Sequence, residues 1–389
     1  MRMTKIRNLL VVTTSRAEYG ILKRLMHAIN LSSEFNLQIL VSGSHLSKFH
    51  GNTFKEIEED NFNINSRVDL KLENDQPKDI ANSFSLGIQG FSKELRSLEP
   101  DLIIILGDRF EILSAAIAAM FLKIPIAHLS GGETTEGAID ESIRHAVTKL
   151  SHFHFVANQN YYQRVLQLGE NPENVFLVGG LGVDAICHTK LLPRNTLEKD
   201  LGFKFKKKNL LITFHPQTLA KDSGMNQMKN LLSALSLLEN TQLIFTMPNA
   251  DPNSSVIRTQ IEDFVMKNKN SISFDSLGQL RYFSCISNVD AVIGNSSSGI
   301  TEVPSFNKGT IDIGDRQKGR IKAQSVISCT SNTQDISDAI RKIYSKKFQT
   351  ILINTINPYG DGGAVDKIMK ILPNICLESA LQKPFFDIN

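Results

Sequence analysis

Short runs of apolar, β-branched residues recur along this chain, each ending in a glycine, a polar residue or a charge and followed by a stretch of helical period. In the first half these runs predict strands at Leu9–Thr13, Leu37–Val41, Leu102–Leu106, Pro125–Ala127, His154–Val156 and Val175–Val178. In the second half they predict strands at Leu210–Phe214, Gln242–Phe245, Asp290–Ile293, Gly309–Ile313 and Ser325–Ser328. Leu102–Leu106 is apolar on both faces, as a central parallel strand covered by helices on either side must be. Alternation of strand and helix over the whole length implies an α/β fold of two Rossmann-like sheets in tandem. In that architecture the carboxyl ends of both strand sets line an interdomain cleft, the default place for a ligand.

The pattern loosens between about residues 169 and 210, at Gly179-Gly180, Pro193 and the basic run Lys204–Lys208. We therefore expect an N-terminal Rossmann-like domain over residues 1–175 and a C-terminal one over 176–363. The last helix-like stretch, Ala364–Leu372, with its tail to Asn389, is expected to cross back and pack on the first domain. Phe110–Phe121 reads as a long apolar helix that suits a core or an interface equally.

Composition narrows the function classes. The chain has 389 residues, 41% hydrophobic and 21% charged, which excludes disorder, collagen-like repeats and coiled coil. Its 43 basic and 40 acidic residues leave a formal charge of only +3, which does not support a nucleic-acid partner. Cys187, Cys285, Cys329 and Cys376 are scattered without a CxxC pair, so they read as reduced thiols of a cytoplasmic protein. The apolar run Leu9–Val12 is too short for a signal peptide or a membrane span.

Two Rossmann-like sheets invite a nucleotide. No GxxxxGK[ST] string exists, which removes a Walker-type NTPase. Gly180-Leu181-Gly182-Val183-Asp184-Ala185 resembles a dinucleotide fingerprint, but the following region holds Glu198, Asp200 and a lysine run instead of a strand ending in a ribose-binding acid. Those glycines read as a tight turn at the domain join. A better phosphate candidate is Gly294-Asn295-Ser296-Ser297-Ser298-Gly299, which follows a strand and leads into a helix closed off before Pro304. Small residues let backbone N–H groups approach an anion, and the serine hydroxyls add donors. Glu302, one turn in, suits ribose hydroxyls; its plainer use is in a capping box, though its spacing of four from Ser298 does not fit one.

Gly107-Asp108-Arg109-Phe110-Glu111 sits where a buried strand ends and a helix begins, so Asp108 is either a catalytic group or an N-cap. The segment His128–His145 loops through Gly131-Gly132 and carries Glu133, Glu136, Asp140 and Glu141 into a helix. On that helix Asp140 and Arg144, and Glu141 and His145, are i,i+4 neighbours, on a solvated face or in a site. His152 and His154 form an HxH without a credible third ligand, so they read as structural, and no metal is expected. His215-Pro216 ends the first strand of the second half, where a histidine faces the ligand. No nucleophile elbow or HExxH is present.

Taken together and in order, these strings resemble a known family. They are Ser15–Gly20, Gly43–Leu46 running to Gly51–Thr53, GDRFE at Gly107, GGE through IRHAVTK over Gly131–Lys149, HP at His215, GNSSSG at Gly294 and GDRQKGR over Gly314–Arg320. The set is similar to the hydrolysing UDP-N-acetylglucosamine 2-epimerases of bacterial sialic acid and legionaminic acid synthesis, and to the epimerase half of the animal bifunctional epimerase/kinase. Related non-hydrolysing epimerases carry a glutamate two residues after the histidine of the His128 segment; this chain has Ser130 there and offers Glu133 instead.

The resemblance implies a glycosyltransferase-B type fold and a reaction without NAD, metal or other cofactor. UDP leaves C1 as a proton leaves C2, and water adds to the resulting glycal. It implies catalytic roles for Asp108, Glu133, Asp140 and His215. Substrate-binding roles fall on Arg16, His45, Arg109, Arg144, His145, Ser296, Ser297, Ser298, Gly299, Glu302 and Arg320. It also implies a homo-oligomer, dimer or tetramer, with a UDP-sugar as partner and no membrane or nucleic acid. The expected reaction converts UDP-N-acetylglucosamine to N-acetylmannosamine and UDP. The same chemistry on UDP-2,4-diacetamido-2,4,6-trideoxyglucose is an alternative, since the difference lies in a few side chains around C4 and C6. A UDP-sugar glycosyltransferase and a nucleotide-sugar-binding regulator are the readings from other classes.

Overall fold

The computed structural model describes residues 6–48, 51–74, 76–217, 219, 224–248 and 253–388. The chain divides into two compact units. The first comprises Met1–Glu133, Asp140–Ala185 and Gly362–Asn389; the second comprises Thr134–Ile139 and Ile186–Asp361.

The first unit holds strands β1 (Arg7–Thr13), β2 (Phe35–Ser42), β3 (Ser66–Val68), β4 (Leu102–Leu106), β5 (Ile126–Leu129), β6 (Phe153–Val156) and β7 (Val175–Leu177). Among the described residues they form one seven-stranded sheet in the order β3-β2-β1-β4-β5-β6-β7, parallel at every pairing. Since β7 pairs with β6, the first unit runs past residue 175 to Ala185. Side chains alternate between two apolar layers. Leu9, Val11, Leu102, Ile104 and Leu106 face one layer, and Leu10, Val12, Ile103 and Ile105 face the other. The first layer takes Leu22, Leu25 and Ile29 from the helix Arg16–Leu31 together with Val365 and Ile368 from the helix Ala364–Ile371. The second takes Ile112, Ala115 and Ala119 from the helix Phe110–Phe121, which is therefore mainly core, though Phe121 at its end is exposed. Each leucine buried this way contributes roughly 1.5–3 kcal/mol.

The carboxyl-terminal tail is pinned to the first unit by charge. Lys383 Nζ lies 2.7 Å from Glu170 and donates to the carbonyl oxygens of Lys149 and Ser151. His154 Nε2 meets the same carboxylate at 2.8 Å, and His152 Nδ1 accepts from the Ile126 amide. Both histidines of the HxH thus have structural partners.

The second unit holds β8 (Lys208–Thr213), β9 (Thr241–Thr246), β10 (Ser271–Phe274), β11 (Ala291–Gly294), β12 (Gly309–Ile313) and β13 (Val326–Cys329). The described strands form a parallel sheet in the order β10-β9-β8-β11-β12-β13. The segment Thr134–Ile139 packs within this unit against the loop after β12: a Cβ on Gly137 would lie 2.7 Å from Arg316 Cα.

Two expectations change. The edge strands β3 and β10 are absent from the hydrophobic pattern, because Ser66–Val68 is very short and Ser271–Phe274 is half-buried at every position. The glycines of Gly180–Ala185 do not form the turn themselves: Gly179, at φ +99°, supplies it, and the helix Leu181–His188 follows. Asp184 on that helix is fully buried and pairs with Arg24 at 2.8 Å, which suits a helix docked on the sheet and not a cofactor loop.

Candidate active site

In each sheet the strand order reverses beside the first strand, between β1 and β4 and between β8 and β11. The carboxyl ends of strands at such a reversal form a crevice where ligands bind in open α/β sheets. The expected site residues divide into two sets, one per unit, on the segments that follow the strands.

In the first unit β1 ends at Thr13-Thr14, and Ser15 caps the helix that Arg16 opens, its Oγ accepting from the Glu18 amide. β2 ends in a 3₁₀ turn, Gly43–Leu46, that carries His45. That imidazole is fully buried, with Nε2 3.0 Å from Thr13 Oγ1 and Nδ1 2.8 Å from Thr53 Oγ1. Burial, reinforced by the charge of Arg16, pushes its pKa down to about 3, so His45 acts as a neutral hydrogen-bonding group.

β4 delivers Asp108 and Arg109. Arg109 is the N-cap position of the helix Phe110–Phe121 and makes no side-chain cap there, so the capping role considered for Asp108 is not used. Instead the Asp108 carboxylate forms an ion pair with Arg144 Nη2, from the helix Asp140–Leu150. Arg144, on what could have been a solvated helix face, is 1% exposed and also reaches Glu141 at 3.3 Å. His145 meets Glu141 at 3.1 Å, the i,i+4 pair expected. Arg109 Nε lies 3.3 Å from the fully buried Glu111 carboxylate. Asp140, half-buried, opens the helix that carries Arg144 and His145.

β5 leads into the glycine loop. His128 is fully buried; its Nε2–H donates to the Gly107 carbonyl at 2.8 Å, which leaves Nδ1 facing the Thr148 hydroxyl. Burial pushes its pKa down to about 3. His128 thus ties the β4 turn bearing Asp108 to the loop bearing Glu133. Glu133 is 8% exposed and follows Gly132, whose Cβ, if it had one, would strike the Tyr161 carbonyl at 2.5 Å.

In the second unit β8 ends at Thr213, and His215, two residues on, is buried. Asn295 clamps its backbone from both sides: the His215 amide donates to Asn295 Oδ1 at 2.7 Å, and Asn295 Nδ2 donates back to the His215 carbonyl at 2.9 Å. Gly294 makes this possible at φ +143°, with the Thr213 carbonyl oxygen 1.9 Å from where a Cβ would stand. Ser296, Ser297 and Ser298 follow at partly exposed positions, and Gly299 is buried under Thr310. The helix they start is short, Ser298–Thr301, with no side-chain cap from Ser297. Ser298 donates to Glu302, and Tyr282 donates to Ser298 at 2.9 Å. Burial raises the pKa of Glu302, opposed by the Ser298 hydrogen bond. After β12, Arg316 Nη1 and Gln317 Nε2 donate to the Asn295 carbonyl at 3.2 and 2.9 Å, and Arg320 is 9% exposed beside buried Asp312.

In the first unit contacts join Asp108, Arg144, Glu141 and His145, Arg109 pairs with Glu111, Arg16 lies near His45, and Glu133 and Asp140 sit on the loop and helix that follow β5. In the second, Asn295 ties His215 to the segment Ser296, Ser297, Ser298 and Gly299, Ser298 holds Glu302, and Arg320 lies beside Asp312. Sequence reasoning missed Glu18, Glu111 and Asn295. An acid in the first turn of a helix has a plain dipole explanation, and nothing in the string GNSSSG reveals that its asparagine holds a histidine backbone.

A family model described as UDP-N-acetylglucosamine 2-epimerase matches residues 27–373. Over 384 residues the chain is 42% identical to the GDP/UDP-N,N'-diacetylbacillosamine 2-epimerase (hydrolyzing) of Campylobacter jejuni, covering 98% of this chain and 99% of that one. Over 376 residues it is 36% identical to the UDP-N,N'-diacetylbacillosamine 2-epimerase (hydrolyzing) of Legionella pneumophila, covering 97% and 98%. The crystal structure of the UDP-GlcNAc 2-epimerase from Neisseria meningitidis bound to UDP-GlcNAc matches with a TM-score of 0.80 at 18% identity, over 95% of this chain and 100% of that one. The fold is thus of the glycosyltransferase-B type, and the chain belongs to the UDP-N-acetylglucosamine 2-epimerase family. Within that family it stands with the hydrolysing 2-epimerases.

Proposed function

We propose that the protein is a hydrolysing 2-epimerase whose substrate is UDP-2,4-diacetamido-2,4,6-trideoxyglucose. The first unit supplies the proton chemistry. Asp108, Glu133 and Asp140 are the carboxylates that remove the C2 proton and return one from the other face, and Arg144 and His145 orient them. The second unit holds the leaving group: His215, the Ser296–Gly299 segment and Arg320 donate to the diphosphate, and Glu302 accepts from ribose hydroxyls. In the first half-reaction the C1–O bond breaks and UDP departs with its electrons as the C2–H bond yields its proton to a carboxylate. In the second, water adds its oxygen to C1 and a proton adds to C2, releasing the free manno sugar.

The observation that carries the chemistry is the ion pair of the buried Arg144 guanidinium with a partly exposed Asp108 just past the carboxyl end of a central strand. The choice of sugar is supported by full-length likeness to two relatives named for the diacetamido compound. UDP-N-acetylglucosamine, the substrate expected from the motifs, is the second reading, supported by the family description and by the ligand of the Neisseria structure.

Proton NMR in deuterated buffer tests both. The protein should convert the UDP-linked diacetamido sugar to UDP and the free 2-epimer with deuterium at C2, faster than it converts UDP-N-acetylglucosamine or the GDP-linked diacetamido sugar. Faster turnover of UDP-N-acetylglucosamine or the GDP-linked compound would overturn the choice of substrate. Sugar transfer to an acceptor without exchange at C2 would overturn the reaction.

A further inference from the structure

The turn after β1 buries a carboxyl group that the reaction above does not use. Glu18 is 8% exposed. Its carboxylate accepts from the Thr14 amide at 2.9 Å and from the Thr14 hydroxyl at 2.9 and 3.0 Å, closing the turn from which Arg16 projects. The Thr14 carbonyl is held from the other side by Ser44 Oγ at 3.1 Å, and a Cβ on Gly43 would meet it at 2.6 Å. The same Gly43 position lies 3.2 Å from Glu111 Oε1. Three strand ends, those of β1, β2 and β4, therefore converge on one small volume holding two carboxyl groups and the Arg109 guanidinium.

We propose that Glu18 is a positioning residue for Asp108: the carboxylates of Glu18 and Glu111 share Arg109 between them, and the proton on Glu18 decides how Arg109, and with it the adjacent Asp108, is held. The inference rests on the first unit carrying the proton chemistry. Three features support it. Arg109 and Asp108 are consecutive residues just past the end of β4, after Gly107, which turns the chain at φ +84°. Arg109 is bound at its Nε to Glu111, and its charge acts on Glu18 as well. The groups facing Glu18 are Thr14 from its own turn and Arg109 and Glu111 from the β4 end; His45 on the neighbouring 3₁₀ turn is neutral.

Glu18 is also poised to switch. Burial lifts its pKa to about 7; Arg109 and the Thr14 hydrogen bonds oppose that shift and Glu111 adds to it. Above neutrality Glu18 carries a negative charge beside Arg109; below it Glu18 is neutral.

The test reads the carboxyl group itself and then the reaction. In the full chain labelled with 13C at glutamate carboxyls, Glu18 should titrate within about one unit of pH 7, Glu111→Gln should lower that midpoint, and Arg109→Met should raise it. In turnover, the wild type should show a limb in kcat near that midpoint. Glu18→Gln should flatten the limb and lower kcat about tenfold above it, with KM changed less than about twofold, and Glu18→Asp should restore part of the limb. Titration of Glu18 below pH 5, a midpoint that Glu111→Gln leaves in place, or an unchanged limb in Glu18→Gln would each overturn the proposal. If Glu18→Gln does not fold, the wild-type titration and its response to Glu111→Gln decide alone. A wild type that turns over no sugar nucleotide overturns the functional reading instead, because the coupling between Glu18 and Glu111 is read without substrate.

Discussion

Arg144 and Asp108 come from different elements of the first unit, one from a helix and one from the end of β4, and form an ion pair in which the arginine is 1% exposed and the aspartate 22%. The geometry anchors the carboxylate on a buried cation and leaves part of it open. Asp108→Asn should therefore keep the fold and the affinity for UDP while lowering turnover by at least about 100-fold. Isothermal titration with UDP alongside the NMR assay checks this, and near-normal turnover would remove Asp108 from the catalytic set.

Arg144→Met asks more of the fold. It leaves Asp108 and Glu141 without a buried cation, and breaking one side of such a pair costs about 3–5 kcal/mol. Because Asp108 is partly hydrated, the lower end of that range is expected. Urea unfolding of the variant against the wild type measures it.

Gly294→Ala should damage the second unit out of proportion to one methyl group. The new Cβ would stand 1.9 Å from the Thr213 carbonyl, so β8 and β11 must part at their carboxyl ends. Overpacking of this kind costs roughly 1–3 kcal/mol or more, and Asn295 would lose its grip on His215. A lowered melting temperature together with weakened UDP binding is the expected pair of results. Tight UDP binding in the variant would mean that the turn tolerates the shift.

Much of the fold was legible in the chain. The strands that were read directly, such as Leu102–Leu106, are buried on both faces and so carry an apolar signal wherever the register falls. The strands that were missed, Ser66–Val68 and Ser271–Phe274, lie at sheet edges, where one neighbour and partial burial are enough to hold a polar residue in place. The site was legible as a set of strings and not as a set of contacts. Spacing along one helix suggests Glu141–His145, whereas Arg144 reaching Asp108 depends on β4 and β5 lying side by side. Glu18 and Asn295 were hidden because an acid early in a helix and an asparagine in a glycine-serine loop have common local explanations.

Stability should fall on the acid side because of two buried imidazoles. His45 and His128 have folded pKa values near 3 against 6.5 when free. Between those values the unfolded chain binds more protons than the folded one, so their contribution is fully present above pH 6.5 and lost as the pH falls toward 3. It amounts to on the order of 5 kcal/mol for each. Glu18 acts in the opposite sense, since its raised pKa makes stability fall as the pH rises from 4.5 to about 7. Glu302 and Asp312, also raised, act with Glu18, and His152 and His154, also lowered, act with the first pair. The four imidazoles outweigh the three carboxyls, so the urea midpoint should drop between pH 6.5 and pH 5. His128→Gln should shallow that drop. A midpoint that does not move would mean that these imidazoles take up protons in place.

The helix Ala364–Ile371 completes an apolar layer whose other members, Leu22, Leu25 and Ile29, lie near the beginning of the chain. A ribosome releases those residues long before it makes Val365 and Ile368. The second unit closes its sheet with β13 while the first still lacks a helix and the Lys383 anchor. During synthesis the earlier half is thus the later one to finish, and its uncovered leucines are the surface a chaperone would meet.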